Sequence, residues 1–154
     1  QEGKANHVMR GFNYRMDGIQ GAVLGVKMKH IEKWTEARRR VAQRYDAAFS
    51  ALGLETPANP ADARHVYHVY AMRFDGRDAV RAALEARGVQ TGIHYPKPVH
   101  LQPAYADLGY AAGALPVSER ASQRLLSLPM FPEMTDAQVD TVIAAVRDIA
   151  RAAA

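Results

Sequence analysis

HVYHVYAMRFDGRDAVRAALEARGVQTGIHY, residues 65–95, decides the fold. Residues 65–74 are rich in Val, Tyr and Phe, with the alternation of a half-buried strand. Asp75-Gly76 turns the chain. Residues 77–87 then place Val80, Ala83 and Leu84 on one face, an amphipathic helix stopped by Gly88. Residues 89–95 return as a second strand. The sequence of strand, helix and strand predicts a small sheet layered on helices.

The flanks extend the same pattern. From about residue 17 to 52 apolar residues recur at helical spacing, with Ile31, Trp34, Val41, Tyr45, Ala48, Phe49 and Leu52 in one stripe. Gly21 and Gly25 each cost about 1 kcal/mol in a helix interior, so a break is expected over 25–30. Gly53 is placed to cap the end. Residues 54–64, with Pro57, Asn59 and Pro60, read as a loop. Downstream, Ser118 is a candidate N-cap for a helix over 119–125, and residues 127–130 are a candidate third strand. Thr135 and Gln138 form a capping box for a last helix, buried through Val139, Val142, Ile143, Val146 and Ile149. The expected fold is α+β: a long N-terminal helix plus a small, mostly antiparallel sheet covered by helices.

Composition narrows the function. The 154 residues suit one domain, which at this size buries roughly 68–70% of its unfolded surface. With no cysteine there is no disulfide, thiolate metal site or thiol redox chemistry, which fits a cytoplasmic protein. No apolar run approaches the ~20 residues of a membrane span, so no membrane partner is expected. The net charge of +4 mildly favours an anionic partner. The basic run Arg38, Arg39, Arg40 and Arg44 falls in a helical pattern with a Glu36–Arg40 i,i+4 pair, which reads as a solvated face. No base-reading side chains interleave with it, so nucleic acid is not expected either. His65 and His68 would lie on opposite faces of a strand and cannot easily converge on one metal ion. Serine-hydrolase and Gly-rich phosphate motifs are absent from the sequence.

Two polar clusters remain. In TGIHYPKPVHLQPAY, residues 91–105, Pro96, Pro98 and Pro103 stiffen a loop that carries His94 and Tyr95, although such steps also serve plain turns. In GFNYRMD, residues 11–17, Arg15 offers a planar fork, Asn13 an amide, and the following helix its N-terminal N–H groups, all suited to an anion. The plainer reading makes Asn13 a turn residue, Arg15 a surface charge and Asp17 a helix cap.

Four blocks stand together: GFNYRMDGIQGAVLGVKMKHIEKWTEARRRVAQRY at 11–45, HVYHVYAMRF at 65–74, TGIHYPKPVHLQPAY at 91–105 and LSLPMFPEMTDAQVDTVI at 126–143. In order and spacing they resemble the C-terminal part of the DegT/DnrJ/EryC1/StrS family of pyridoxal-phosphate-dependent sugar aminotransferases. The resemblance implies the small domain of a fold-type-I transferase over residues 17–154, with its long interdomain helix. Residues 1–16 would link it to a large cofactor-binding domain outside this chain. It implies a cytoplasmic homodimer that moves an amino group from an amino acid such as glutamate to a nucleotide-linked keto sugar, for polysaccharide or glycoside biosynthesis. By matching motif, Asn13 would reach across the dimer to the pyridoxal 5'-phosphate phosphate, with Arg15 beside it. His94 and Tyr95 would line the nucleotide-sugar pocket of the neighbouring subunit. In the family the cofactor-bearing lysine lies in the large domain, and Lys4, Lys27, Lys29, Lys33 and Lys97 do not occupy its place. The chain alone is therefore expected to bind no cofactor and to be inactive. A reading from another class is a non-catalytic interaction or sensor module that kept this fold.

Overall fold

The computed structural model describes residues 6–12, 14 and 16–152. Helix α1, Gly18–Lys27, is followed by a single 3-10 turn, Met28–His30, and by α2, Ile31–Ser50. The break expected over 25–30 is thus present as this turn, while Gly21 and Gly25 both lie inside α1. Past Ser50 the chain closes with Leu54 N–H donating to the Phe49 carbonyl at 3.1 Å. That geometry needs a left-handed residue before it, and Gly53 supplies φ of 71°.

Strand β1, Tyr70–Arg73, pairs antiparallel with β2, Leu125–Leu128, placing Tyr70 opposite Leu128 and Arg73 opposite Leu125. Between them in sequence lie α3, Arg77–Glu85, and α4, Pro116–Arg124. Helix α5, Asp136–Ala152, closes the chain, its start held by the expected Thr135–Gln138 exchange of hydrogen bonds. The core lies between the sheet and the helices: Tyr45 and Phe49 from α2, Tyr70 and Met72 from β1, Leu84 from α3, Leu126 and Leu128 from β2, and Val139, Val142 and Val146 from α5.

Four local expectations are corrected. The strand expected over 65–74 forms only at 70–73, because the backbone ahead of it is taken by side chains. Arg38 Nε donates to the Val66 carbonyl, Arg39 Nη1 to the His65 carbonyl, and the Tyr67 N–H goes to His65 Nδ1, with Tyr67 at φ 47°. The strand expected over 89–95 shrinks to one antiparallel bridge, Gly92 to Ser127, and Pro96 and Pro98, which lack the N–H groups a ladder uses, keep it from extending beyond Tyr95. Helix α4 starts at Pro116, so Ser118 lies inside it; proline at the first helical position spares an N–H that has no partner there. The third strand correspondingly begins at Leu125, two residues earlier than expected.

The arginine run also differs from the solvated face expected for it. Glu36 pairs with Arg64 at 2.7 Å and Arg39 at 3.6 Å, not with Arg40. Arg44 bridges to Asp136 and Asp140 of α5. These arginines clip α2 to its neighbours.

Candidate functional site

Along β2 the side chains alternate, so Leu126 and Leu128 enter the core while Ser127 turns to the other face. Ser127 exchanges both backbone hydrogen bonds with Gly92, at 3.0 and 2.7 Å. Two residues on, the His94 ring folds back over this bridge and its Nδ1 lies 2.9 Å from Ser127 Oγ. A Cβ built on Gly92 would come within 2.7 Å of His94 Cε1, so glycine is what lets the ring sit there. Tyr95 packs edge-on to His94, centroids 5.5 Å apart, and is 69% exposed. The peptide bond between the two is cis. His94 and Tyr95, named from sequence, are therefore brought together; Ser127 was read only as a strand residue. The alternation of Leu126, Ser127 and Leu128 was the signal that could have found it.

Beyond Tyr95 the chain makes two 3-10 turns, Val99–Leu101 and Pro103–Leu108. The N-terminal segment lies against them. His7 N–H donates to Gln102 Oε1, Ala104 N–H to the His7 carbonyl, and Arg10 Nε to the Ala104 carbonyl. The Arg10 guanidinium lies 5.1 Å over the Tyr105 ring and pairs with Asp107. Between this segment, the 95–110 loop and α4 runs an open groove of about 880 Å³, lined by His7, Tyr95, Lys97, Val99, Tyr105 and Tyr110 among others. Its far wall is fixed by Glu119 of α4. That carboxylate accepts the Gly113 and Leu115 N–H groups and meets buried His100 Nε2 at 3.0 Å. The Gly113 N–H, and after it His100, hold the Glu119 carboxyl below its ordinary value.

Asn13 and Arg15 lie outside the described residues. Next to them Phe12 and Tyr14 stack at 5.6 Å and are exposed. The start of α1 follows the plainer reading of the 11–17 cluster at Asp17. Asp17 caps it, accepting the Gln20 N–H at 2.8 Å while Gln20 Oε1 accepts the Asp17 N–H.

The described residues do not make a complete seat for pyridoxal phosphate. A pyridine aldehyde needs a lysine and an acidic partner for its ring nitrogen. Lys27 lies over Trp34, Lys29 and Lys33 are on exposed helix surface, and Lys97 Nζ is bonded to Asn6 Oδ1 at 3.3 Å. The described lining of the groove includes no carboxylate. Among the described residues no cluster of three or more metal-ligating groups occurs, and no helix is long and apolar enough to cross a membrane.

The chain is 40% identical over 151 residues to the pleiotropic regulatory protein of Geobacillus stearothermophilus, covering 96% of this chain and 41% of that protein. It is 38% identical over 146 residues to the dTDP-3-amino-3,4,6-trideoxy-alpha-D-glucose transaminase of Streptomyces venezuelae, covering 94% and 38%. The crystal structure of S. venezuelae DesV in complex with a ketimine intermediate superposes with a TM-score of 0.84 at 38% identity, over 97% of this chain and 41% of DesV. The chain thus spans about two fifths of the length of these relatives. The family model of the DegT/DnrJ/EryC1/StrS aminotransferases matches residues 1–147, and the chain belongs to that family.

Proposed function

We propose that this chain is the C-terminal portion of a pyridoxal-phosphate-dependent aminotransferase acting on a nucleotide-linked keto sugar, with an amino acid such as glutamate as donor. The observation that carries the reading is the His94–Tyr95 pair: two hydrogen-bonding side chains exposed side by side, one of them anchored to a buried strand. That arrangement suits recognition of a polar, hydroxyl-rich ligand. The similarity to a dTDP-sugar transaminase supports the same substrate class.

In the proposed reaction the donor's C–N bond breaks and the donor leaves as a 2-oxo acid. The sugar carbonyl carbon gains the nitrogen and loses its oxygen as water, and a water molecule supplies the carbonyl oxygen of the 2-oxo acid. The two electrons gained by the sugar carbon come from the donor's α-carbon, so no outside oxidant or reductant enters. The cofactor and its lysine belong, on this reading, to a large domain joined through residues 1–16, in a cytoplasmic homodimer. Asn13 reaches the cofactor phosphate of the neighbouring subunit with Arg15 beside it, and His94 and Tyr95 complete the neighbour's sugar pocket.

The test uses the complete protein with pyridoxal phosphate, glutamate and UDP- or dTDP-linked keto sugars. The expected result is 2-oxoglutarate and amino sugar formed one to one, with none from residues 1–154 alone. His94→Ala should lower kcat/KM for the sugar roughly tenfold or more, the effect of one hydrogen bond to a polar substrate group. A complete protein that forms no amino sugar would overturn the reading and favour the interaction module; turnover by the isolated chain would overturn its predicted inactivity.

A further inference from the structure

We propose that Ser127 and Gly92 are positioning residues for His94: Ser127 sets the neutral imidazole with its proton on Nε2, and Gly92 leaves room for the ring. His94 then meets its ligand as a hydrogen-bond donor, to a sugar or phosphate oxygen. Only this last clause, the identity of the ligand, rests on the aminotransferase reading.

The geometry comes from two segments far apart in sequence. Ser127 is 5% exposed, with both backbone groups engaged by Gly92. Among the described residues its hydroxyl has one partner, His94 Nδ1 at 2.9 Å. If Nδ1 carried the proton, the serine hydrogen would be buried without an acceptor, which native structures avoid. The hydroxyl therefore donates to Nδ1, and the proton of the neutral ring resides on Nε2. Nε2 has no protein partner among the described residues, and His94 is exposed, so this donor is left for a ligand. Below the ring, the 2.7 Å approach of a Cβ at position 92 to Cε1 is closer than real contacts allow, so a side chain there displaces the imidazole. Tyr95 bounds it on another side, its ring nearly perpendicular at 83°.

Two measurements on the complete protein test the seat. With 15N-labelled histidine at about pH 8, where an ordinary imidazole is neutral, His94 should show the Nε2–H tautomer. Ser127→Ala should replace it with a tautomer mixture, and Ser127→Thr, which keeps the hydroxyl, should restore it. In kinetics, Ser127→Ala and Gly92→Ala should each raise KM for the nucleotide sugar roughly tenfold, and Ser127→Ala added to His94→Ala should add nothing. An unchanged tautomer in Ser127→Ala overturns the proposal, and so does a double variant worse than His94→Ala alone, which would mark Ser127 as merely structural. If no sugar is aminated, the aminotransferase reading fails while the nitrogen spectra still decide the seat.

Discussion

At the residue scale, Glu119 shows how a single side chain shapes the groove. It accepts hydrogen bonds from Gly113 at 2.8 Å and Leu115 at 3.1 Å and reaches His100, binding a turn, a helix start and a 3-10 turn to one carboxylate. Its folded-state value is depressed by these donors, led by Gly113. A depressed carboxylate stabilises the fold fully above its unfolded value, about 4.3, and that contribution is lost as pH falls through the lower folded value. We expect the Gly113 and Leu115 amide signals to move together in an acid titration, with a midpoint below that of an ordinary glutamate. Glu119→Gln should remove the transition; a midpoint at the ordinary value would refute it. None of this was legible in sequence, because Glu119 bonds to residues chosen by the path of the 97–115 loop.

At the element scale, α1 and α2 look continuous in sequence yet differ in what holds them. Helix α2 buries Val41, Ala42, Tyr45 and Phe49, whereas α1 has no buried residue. Phe49→Ala should therefore cost about 3–5 kcal/mol in urea unfolding. Gly25→Ala, where the added methyl meets nothing, should instead gain about 1 kcal/mol of local helix stability. That gain would appear in α1 amide exchange with little change in Tm. Equal effects on global unfolding would show that α1 folds cooperatively with the core. The stripe read from sequence correctly held Val41, Tyr45 and Phe49, but Ile31 and Trp34 are only half-buried while Thr35 and Ala37 are buried. Periodicity gives a face; the partner helix decides which part of it is covered, and α5 packs on α2.

At the scale of the molecule, α1 leaves a run of large apolar side chains exposed. Ile19, Val26 and Met28 are each at least 60% exposed, and Val23 and Leu24 about half, next to exposed Phe12 and Tyr14. Contiguous apolar surface of this kind marks a contact site. Residues 1–154 in isolation should self-associate and bind a hydrophobic dye, and Ile19→Glu with Val26→Glu should suppress both. Monomeric scattering at 16.9 kDa without dye binding would contradict this. The proposed large domain would be the natural cover for this face.

The sequence by itself determined the existence of the main helices, the Thr135–Gln138 cap, a break within 25–30, the α+β class and the family. These rest on neighbours in the chain: hydrophobic period, restricted φ and the order of four motifs. Tertiary structure alone decided that β1 is four residues long, that residues 89–95 pair only at Gly92, and that Ser127 holds His94. Each depends on a side chain meeting a distant group, as Arg39 meets His65 or His94 meets Ser127. Such meetings follow from how the elements pack, which local periodicity does not encode.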